Sequence, residues 1–190
     1  SSPPALIVCP ASLVANWERE AHKFVPGFRV AAPAGHDRAD MFKEVNEYDL
    51  VILSYAAARL SADKLKHCNF SFLVLDEAQH IKNPGSSNAK NCKSIAAAHR
   101  IVLSGTPLEN SPEDLWSIMD FLQPGMLGTL PAFRRAYSNL REDPALQQDL
   151  AARIGPFIKR RTKAQVATDL PPKSELALYC EMEPAQRDLY

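Results

Sequence analysis

The 190 residues are 46% hydrophobic and 23% charged, the balance expected of a globular domain with one core. Lys+Arg and Asp+Glu each number 22, so the net charge is zero and any basic surface for a polyanion must be local. No apolar run approaches the roughly 20 residues that span a bilayer, no basic segment precedes the first short apolar run, and Cys9, Cys68, Cys92 and Cys180 form neither a C-x-x-C pair nor a zinc-ligand spacing. Membrane, secreted and zinc-domain classes are therefore not expected. The cysteines read as small buried residues of a cytoplasmic or nuclear protein.

Apolar runs and helical spacings alternate along the first half. Residues 5–9 read as a strand, and 12–24 as a helix with Leu13, Trp17, Ala21 and Phe24 on its apolar face and Ser12 as its cap. Further strands are expected over 28–32, 50–53, 72–75 and 101–103, and helices over 37–47, 56–66 and 86–98. The strands are continuous apolar runs, the pattern of a sheet covered on both faces, and their alternation with helices predicts an α/β domain with a mainly parallel sheet. Beyond Ser104 the pattern changes to consecutive helices over 112–122, 131–140 and 144–154. The first opens with Ser111-Pro112-Glu113-Asp114, a capping hydroxyl, a first-turn proline and acids at the positive helix end. A last strand is expected over 175–180, so the helices read as an insertion before the sheet is completed.

Polar residues follow four of the strands: Pro10-Ala11-Ser12, Ser54-Tyr55, Asp76-Glu77-Ala78-Gln79-His80 and Ser104-Gly105-Thr106-Pro107. In a parallel sheet all four lie along the carboxyl edge, where open α/β sheets bind ligands. Two adjacent carboxylates behind an apolar strand suit phosphoryl transfer. Asp76 can hold Mg²⁺ through its water shell, Glu77 can orient an attacking water, and Gln79 can sense a terminal phosphate. The bland alternative is a helix that begins with acids for dipole reasons alone. Ser104, Gly105 and Thr106 form a small-residue loop able to bond Gln79 or His80 and report nucleotide state; its plain alternative is an ordinary turn. A hydrolase triad of Asp76, His80 and Ser104 is not expected, because no strained G-x-S-x-G elbow is present.

These segments resemble, in order, the motifs of Swi/Snf-type DNA-dependent ATPases of helicase superfamily 2. Leu6-Ile7-Val8-Cys9-Pro10-Ala11-Ser12 through Asn16-Trp17-Glu18-Arg19-Glu20 is similar to motif Ia, and Asp49-Leu50-Val51-Ile52-Leu53-Ser54-Tyr55 to motif Ib. Asp76 to Asn83 resembles the DEAQ/DEAH form of motif II, and Leu103 to Asn110 motif III. Phe157 to Lys163 and Asp169-Leu170-Pro171-Pro172-Lys173 resemble the end of the first motor lobe. The resemblance implies a RecA-like lobe of a P-loop NTPase that couples ATP hydrolysis, with Mg²⁺, to tracking along double-stranded DNA without parting the strands. It implies DNA-backbone contacts at Pro10, Ser12, Asn16, Ser54 and Tyr55, and a DNA- or nucleotide-proximal role for Arg160 and Arg161 in a run that otherwise reads as a solvated face. Trp17 is read as core. Between Leu130 and Lys163 the basic residues Arg134, Arg135, Arg141, Arg153, Lys159, Arg160, Arg161 and Lys163 oppose only Glu142, Asp143 and Asp149.

No G-x-x-x-x-G-K-[ST] loop, whose backbone N–H groups would cradle the ATP phosphates, occurs in the 190 residues. The chain is therefore read as a lobe incomplete at its N-terminus, inactive alone, with a lobe core over 1–110, an inserted helical and basic segment over 111–174, and a final strand over 175–190. An exposed sheet edge near residues 101–103 is expected to permit non-native self-association. DNA-bound proteins are possible further partners, and the lack of long inserts between motifs suggests a bacterial or archaeal source. Two rival readings stand beside this one: a degenerate, non-catalytic scaffold, and a nucleotide hydrolase unrelated to DNA.

Overall fold

Five apolar segments pair side by side in parallel in the computed structural model, which describes residues 2–33, 40–105, 111–161 and 165. The strands are β1 (Ala5–Cys9), β2 (Val30–Ala31), β3 (Leu50–Ser54), β4 (Asn69–Leu75) and β5 (Ala96–Val102), in the spatial order β2-β3-β1-β4-β5. Alternate residues of the central strands β1 and β3 feed different cores. Leu6, Val8, Val51, Leu53, Leu73 and Leu75 face one cluster, closed by Ala57, Ala58, Ala89, Cys92, Ile118 and Phe121 from helices on that side. Ile7, Cys9, Leu50 and Ile52 face the other, closed by Ala21 and the partly buried Trp17 of α1 (Val14–Phe24). Helices on both faces are why the strands read as unbroken apolar runs.

Capping fixes most helix starts. α2 (Tyr55–Leu60) begins where Ser54 Oγ accepts the Ala57 N–H at 3.1 Å, and α4 (Ser87–Ser94) where Ser86 Oγ accepts that of Ala89 at 3.2 Å. α5 (Pro112–Leu122) starts as the sequence predicts, with Ser111 Oγ accepting the Glu113 N–H at 3.1 Å, and α6 (Leu130–Ala136) starts behind Thr129. α7 spans Pro144–Ile154.

Several expected boundaries move, each for a local reason. Residues 11–13 form a 3-10 turn closed by Leu13 N–H to the Pro10 carbonyl, so α1 starts at Val14 and Ser12 caps nothing. Phe24, expected on the apolar face, is exposed. The strand expected over 28–32 shrinks to Val30–Ala31. Of the helix expected over 37–47, residues 37–39 lie outside the described residues. Asp40 and Met41 are helical, and residues 42–44 turn into the 3-10 segment Val45–Glu47, with Met41 and Val45 buried. The helix over 56–66 divides at Ser61 into α2 and α3 (Ala62–Leu65). The helix expected over 86–98 ends at Ser94, because Ile95 turns into the core in an extended conformation and Ala96 pairs with Asn69. Sheet pairing there overrides the helical propensity of Ala96-Ala97-Ala98. The strand expected over 175–180 lies outside the described residues.

Contacts group residues 1–151 into one compact unit and 152–190 into a second. α5 belongs to the first unit and packs on β5 and on the turn that follows β4, so the helices after Ser104 begin as part of the sheet's own cover.

Candidate active site at the carboxyl rim of the sheet

Register places four polar segments on one rim. Cys9 pairs with Ser54, Val8 with both Leu53 and Leu75, and Leu75 with Val102, so β3, β1, β4 and β5 end side by side. The segments that leave those ends are Ser54-Tyr55, the turn after Pro10, Asp76 to His80, and Leu103 to Gly105. Two backbone bonds fasten the last two together: Leu103 N–H donates to the Leu75 carbonyl at 2.8 Å, and Ala78 N–H to that of Leu103 at 3.1 Å. Ser104 and Gly105 are exposed on the rim, and Thr106 lies outside the described residues.

Asp76 is the most heavily held residue of the rim. Its own N–H donates to the Val8 carbonyl at 2.9 Å. Its Oδ2 accepts the Trp17 indole N–H at 2.8 Å, its Oδ1 accepts the Glu77 backbone N–H at 2.9 Å, and its carbonyl accepts the Tyr55 hydroxyl at 2.8 Å. Trp17, expected in the core, is therefore half core and half site. An indole has a single polar atom, a donor, and a partly buried one takes the nearest acceptor. The signal in the sequence was that need for a partner, and the apolar spacing of α1 masked it.

Glu77 is the one non-glycine with positive φ (53°) among the described residues. The left-handed conformation costs an L-residue about 1–2 kcal/mol and persists where neighbours enforce it, commonly at functional sites. It turns the chain out of β4 into the 3-10 segment Ala78–Ile81. Gln79 Nε2 donates to Glu77 Oε2 at 3.0 Å, while Gln79 Oε1 is buried without a hydrogen-bond partner. His80 stacks on the Tyr55 ring, centroids 4.5 Å apart.

Among the residues expected at DNA, Ser12 and Asn16 are exposed and Pro10 is half-exposed, all beside the rim. Ser54 Oγ is engaged as the cap of α2, yet its own hydroxyl proton remains a donor. Tyr55, the last of the residues expected at the DNA backbone, differs from these in its surroundings. It is buried, its hydroxyl donates to the Asp76 carbonyl, and burial first, then the neighbouring Cys92 and Asp76, push its pKa far above the ordinary phenol value. Arg160 and Arg161 are exposed residues of the second unit. A cavity lined by Pro3, Phe42, Lys43, Lys64, His67 and Asn69 opens at the amino ends of β1 and β4, away from this rim.

The carboxylates that the rim offers a cation are those of Asp76 and Glu77. Among the described residues no group of three or more His, Cys, Asp or Glu could hold an ion. Mg²⁺ takes one or two carboxylates plus phosphate oxygens and keeps waters. Each Asp76 oxygen accepts one N–H and has capacity left, and the orphaned Gln79 Oε1 is a buried acceptor that a bound water would satisfy.

The SNF2-related domain family matches residues 1–190. The chain is 36% identical over 203 residues to the TATA-binding protein-associated factor MOT1 of Saccharomyces cerevisiae, covering 98% of this chain and 11% of that protein. It is 35% identical over 189 residues to an uncharacterised ATP-dependent helicase of Mycoplasma pneumoniae, covering 98% of this chain and 18% of that one. Among solved structures, the Sulfolobus solfataricus SWI2/SNF2 ATPase core in complex with double-stranded DNA superposes with a TM-score of 0.80 at 39% identity, over 98% of this chain and 40% of that one. The chain thus spans a small part of these relatives, and the matched part contains the whole rim. With its parallel five-stranded RecA-like sheet and its ordered motifs, the chain belongs to the SNF2-related family of helicase-like ATPases.

Proposed function

We propose that these residues form the first motor lobe of an ATP-driven translocase on double-stranded DNA. The observation that carries this reading is the adjacency of Asp76 and Glu77, at the centre of the rim, to exposed segments on the neighbouring strand ends. Pro10, Ser12, Asn16 and Ser54 offer hydroxyl, amide and backbone groups of the kind that hold phosphates without reading sequence, as a motor that passes over any sequence requires. The solved relative bound to double-stranded DNA favours that partner.

Asp76 would hold Mg²⁺ through its water shell, and the ion, when bound with ATP, supplies charge neutralisation at the phosphates. Glu77, where a left-handed backbone turns the chain off the strand, would orient the attacking water and accept its proton, a reading that this conformation supports. Gln79 braces the Glu77 carboxylate and keeps one buried acceptor for that water or for a group beside the terminal phosphate. His80, Ser104, Gly105 and Thr106 are assigned to coupling between nucleotide and DNA, and Arg160 and Arg161 to a nearby polyanion. A DNA partner fits the nucleoid or the nucleus, and DNA-bound proteins are the objects such a motor would move.

The phosphate-cradling loop is absent from the 190 residues, so this stretch by itself is expected not to hydrolyse ATP. Phosphate release, measured with and without double-stranded DNA, tests both statements. DNA-stimulated release is expected from the full-length protein and none from the 190 residues expressed alone. Full-length protein without ATP hydrolysis, or hydrolysis indifferent to DNA, would overturn the reading.

A further inference from the structure

Three donors from three separate segments converge on Asp76, and two of them come from outside its own loop. Trp17 lies 59 residues away in sequence, on α1, one turn beyond the Pro10–Leu13 segment. Tyr55 is the first residue of α2, directly behind Ser54. The two helices beside the segments assigned to DNA therefore each place one side-chain donor on Asp76, Trp17 on its carboxylate and Tyr55 on its backbone carbonyl.

We propose that Trp17 and Tyr55 are positioning residues that set Asp76 for catalysis and transmit DNA engagement to it. The inference rests on the proposed function. The Trp17 N–H fixes the rotation of the Asp76 carboxylate by holding Oδ2, and the Glu77 N–H holds Oδ1 on the other side. Each oxygen then has its remaining acceptor direction set before a hydrated cation arrives, which is the preorganisation that electrostatic catalysis needs. The Tyr55 hydroxyl holds the Asp76 carbonyl, and its ring stacks on His80, so a shift of α2 moves both residues together. An indole N–H cannot titrate and cannot accept, so Trp17 serves here by geometry alone. Backbone contact at residues 10–13 that tilts α1 would change the Trp17–Asp76 bond directly.

The test uses the full-length protein with Trp17 replaced by benzothienylalanine, which keeps the bicyclic shape and lacks the N–H, alongside W17F and Y55F. The readouts are the Mg²⁺ concentration for half-maximal ATP hydrolysis, kcat and KM for ATP, the ratio of hydrolysis with and without double-stranded DNA, and the affinity for double-stranded DNA measured without nucleotide. Removing the Trp17 N–H is expected to raise the Mg²⁺ requirement about tenfold and to lower the DNA stimulation by a similar factor, at unchanged DNA affinity. Y55F is expected to lower the DNA stimulation with little change in KM. The control is W116F, which loses an indole bond of the same kind, to the Gly128 carbonyl at 3.1 Å, and is expected to leave the Mg²⁺ requirement unchanged. Wild-type Mg²⁺ requirement and DNA stimulation in the benzothienylalanine protein would overturn the inference while leaving the proposed function standing. A wild-type protein that hydrolyses no ATP would overturn both.

Discussion

Cys9 and Cys92 are closed off from solvent beside the rim, and their protons follow. Burial, with Asp76 nearby as a second cause, pushes the Cys9 thiol up to about 11, and burial pushes Cys92 up to about 12. An unfolded thiol ionises near pH 8.5 to 9, so above that range the unfolded chain has released protons that the folded chain still holds. Stability from these groups is complete below about pH 9 and falls as pH rises towards 12. Urea midpoints of the 190-residue chain should therefore fall from pH 8 to pH 11, and a C9A/C92A chain should show a shallower fall. An equal fall in both would contradict the assignment. The same chemistry keeps both thiols slow towards iodoacetamide at pH 8, with the half-exposed Cys68 reacting before either.

Asp76 and Glu77 stood out in the sequence through the whole run Asp76-Glu77-Ala78-Gln79-His80 behind four apolar residues, since a bare pair of acids there reads as a helix start. The roles of Trp17 and Tyr55 were not readable, because spacing reports which face of a helix is apolar and says nothing of where one donor on that face points. Glu77's backbone conformation was equally hidden, since nothing in its residue type favours positive φ.

The elements hold one another through a few polar clamps as well as through the two cores. Arg100 on β5 donates to the Phe121 carbonyl at 2.8 Å, the Ile95 carbonyl at 2.9 Å and the Lys93 carbonyl at 3.3 Å. Those acceptors lie at or just past the ends of α4 and α5, where carbonyls lack helical partners and a cation is favourable. Its guanidinium also sits 5.0 Å over the Phe121 ring. Arg100→Met should keep most of the packing, lose the clamp and cost about 2 kcal/mol of stability, read from urea unfolding. No measurable loss would mean that water replaces the clamp at no cost. Ser117, fully buried on α5, donates to the Ile81 carbonyl at 2.7 Å and fastens the turn that carries Gln79 and His80. The α5 start was legible to the residue, because Ser111-Pro112-Glu113-Asp114 is a local signal. The α4–β5 boundary was not, because three consecutive alanines favour helix and only the long-range pairing of β5 with β4 makes them strand.

At the scale of the whole molecule, the parallel sheet and the gathering of the polar segments on one rim were legible from the continuous apolar runs and the polar residues behind them. The strand order was beyond the sequence, because it depends on which crossovers close. Among the described residues that order leaves β5 outermost, next to β4, with Phe72, Ile101 and Leu103 exposed. A free edge carrying apolar side chains invites pairing with another chain. The 190 residues alone should therefore sediment with a concentration-dependent increase in mass, which Ile101→Lys should suppress. A monomer at high concentration would contradict this.

The claim on which the account depends is that the rim around Asp76 and Glu77 is the hydrolytic centre. Hydrolysis by full-length protein carrying Glu77→Gln tests it most directly, since the amide keeps the shape and loses the base. The account predicts that ATP and double-stranded DNA still bind while DNA-stimulated hydrolysis falls about 10²–10⁴-fold. Hydrolysis at the wild-type rate would place the chemistry elsewhere and contradict it.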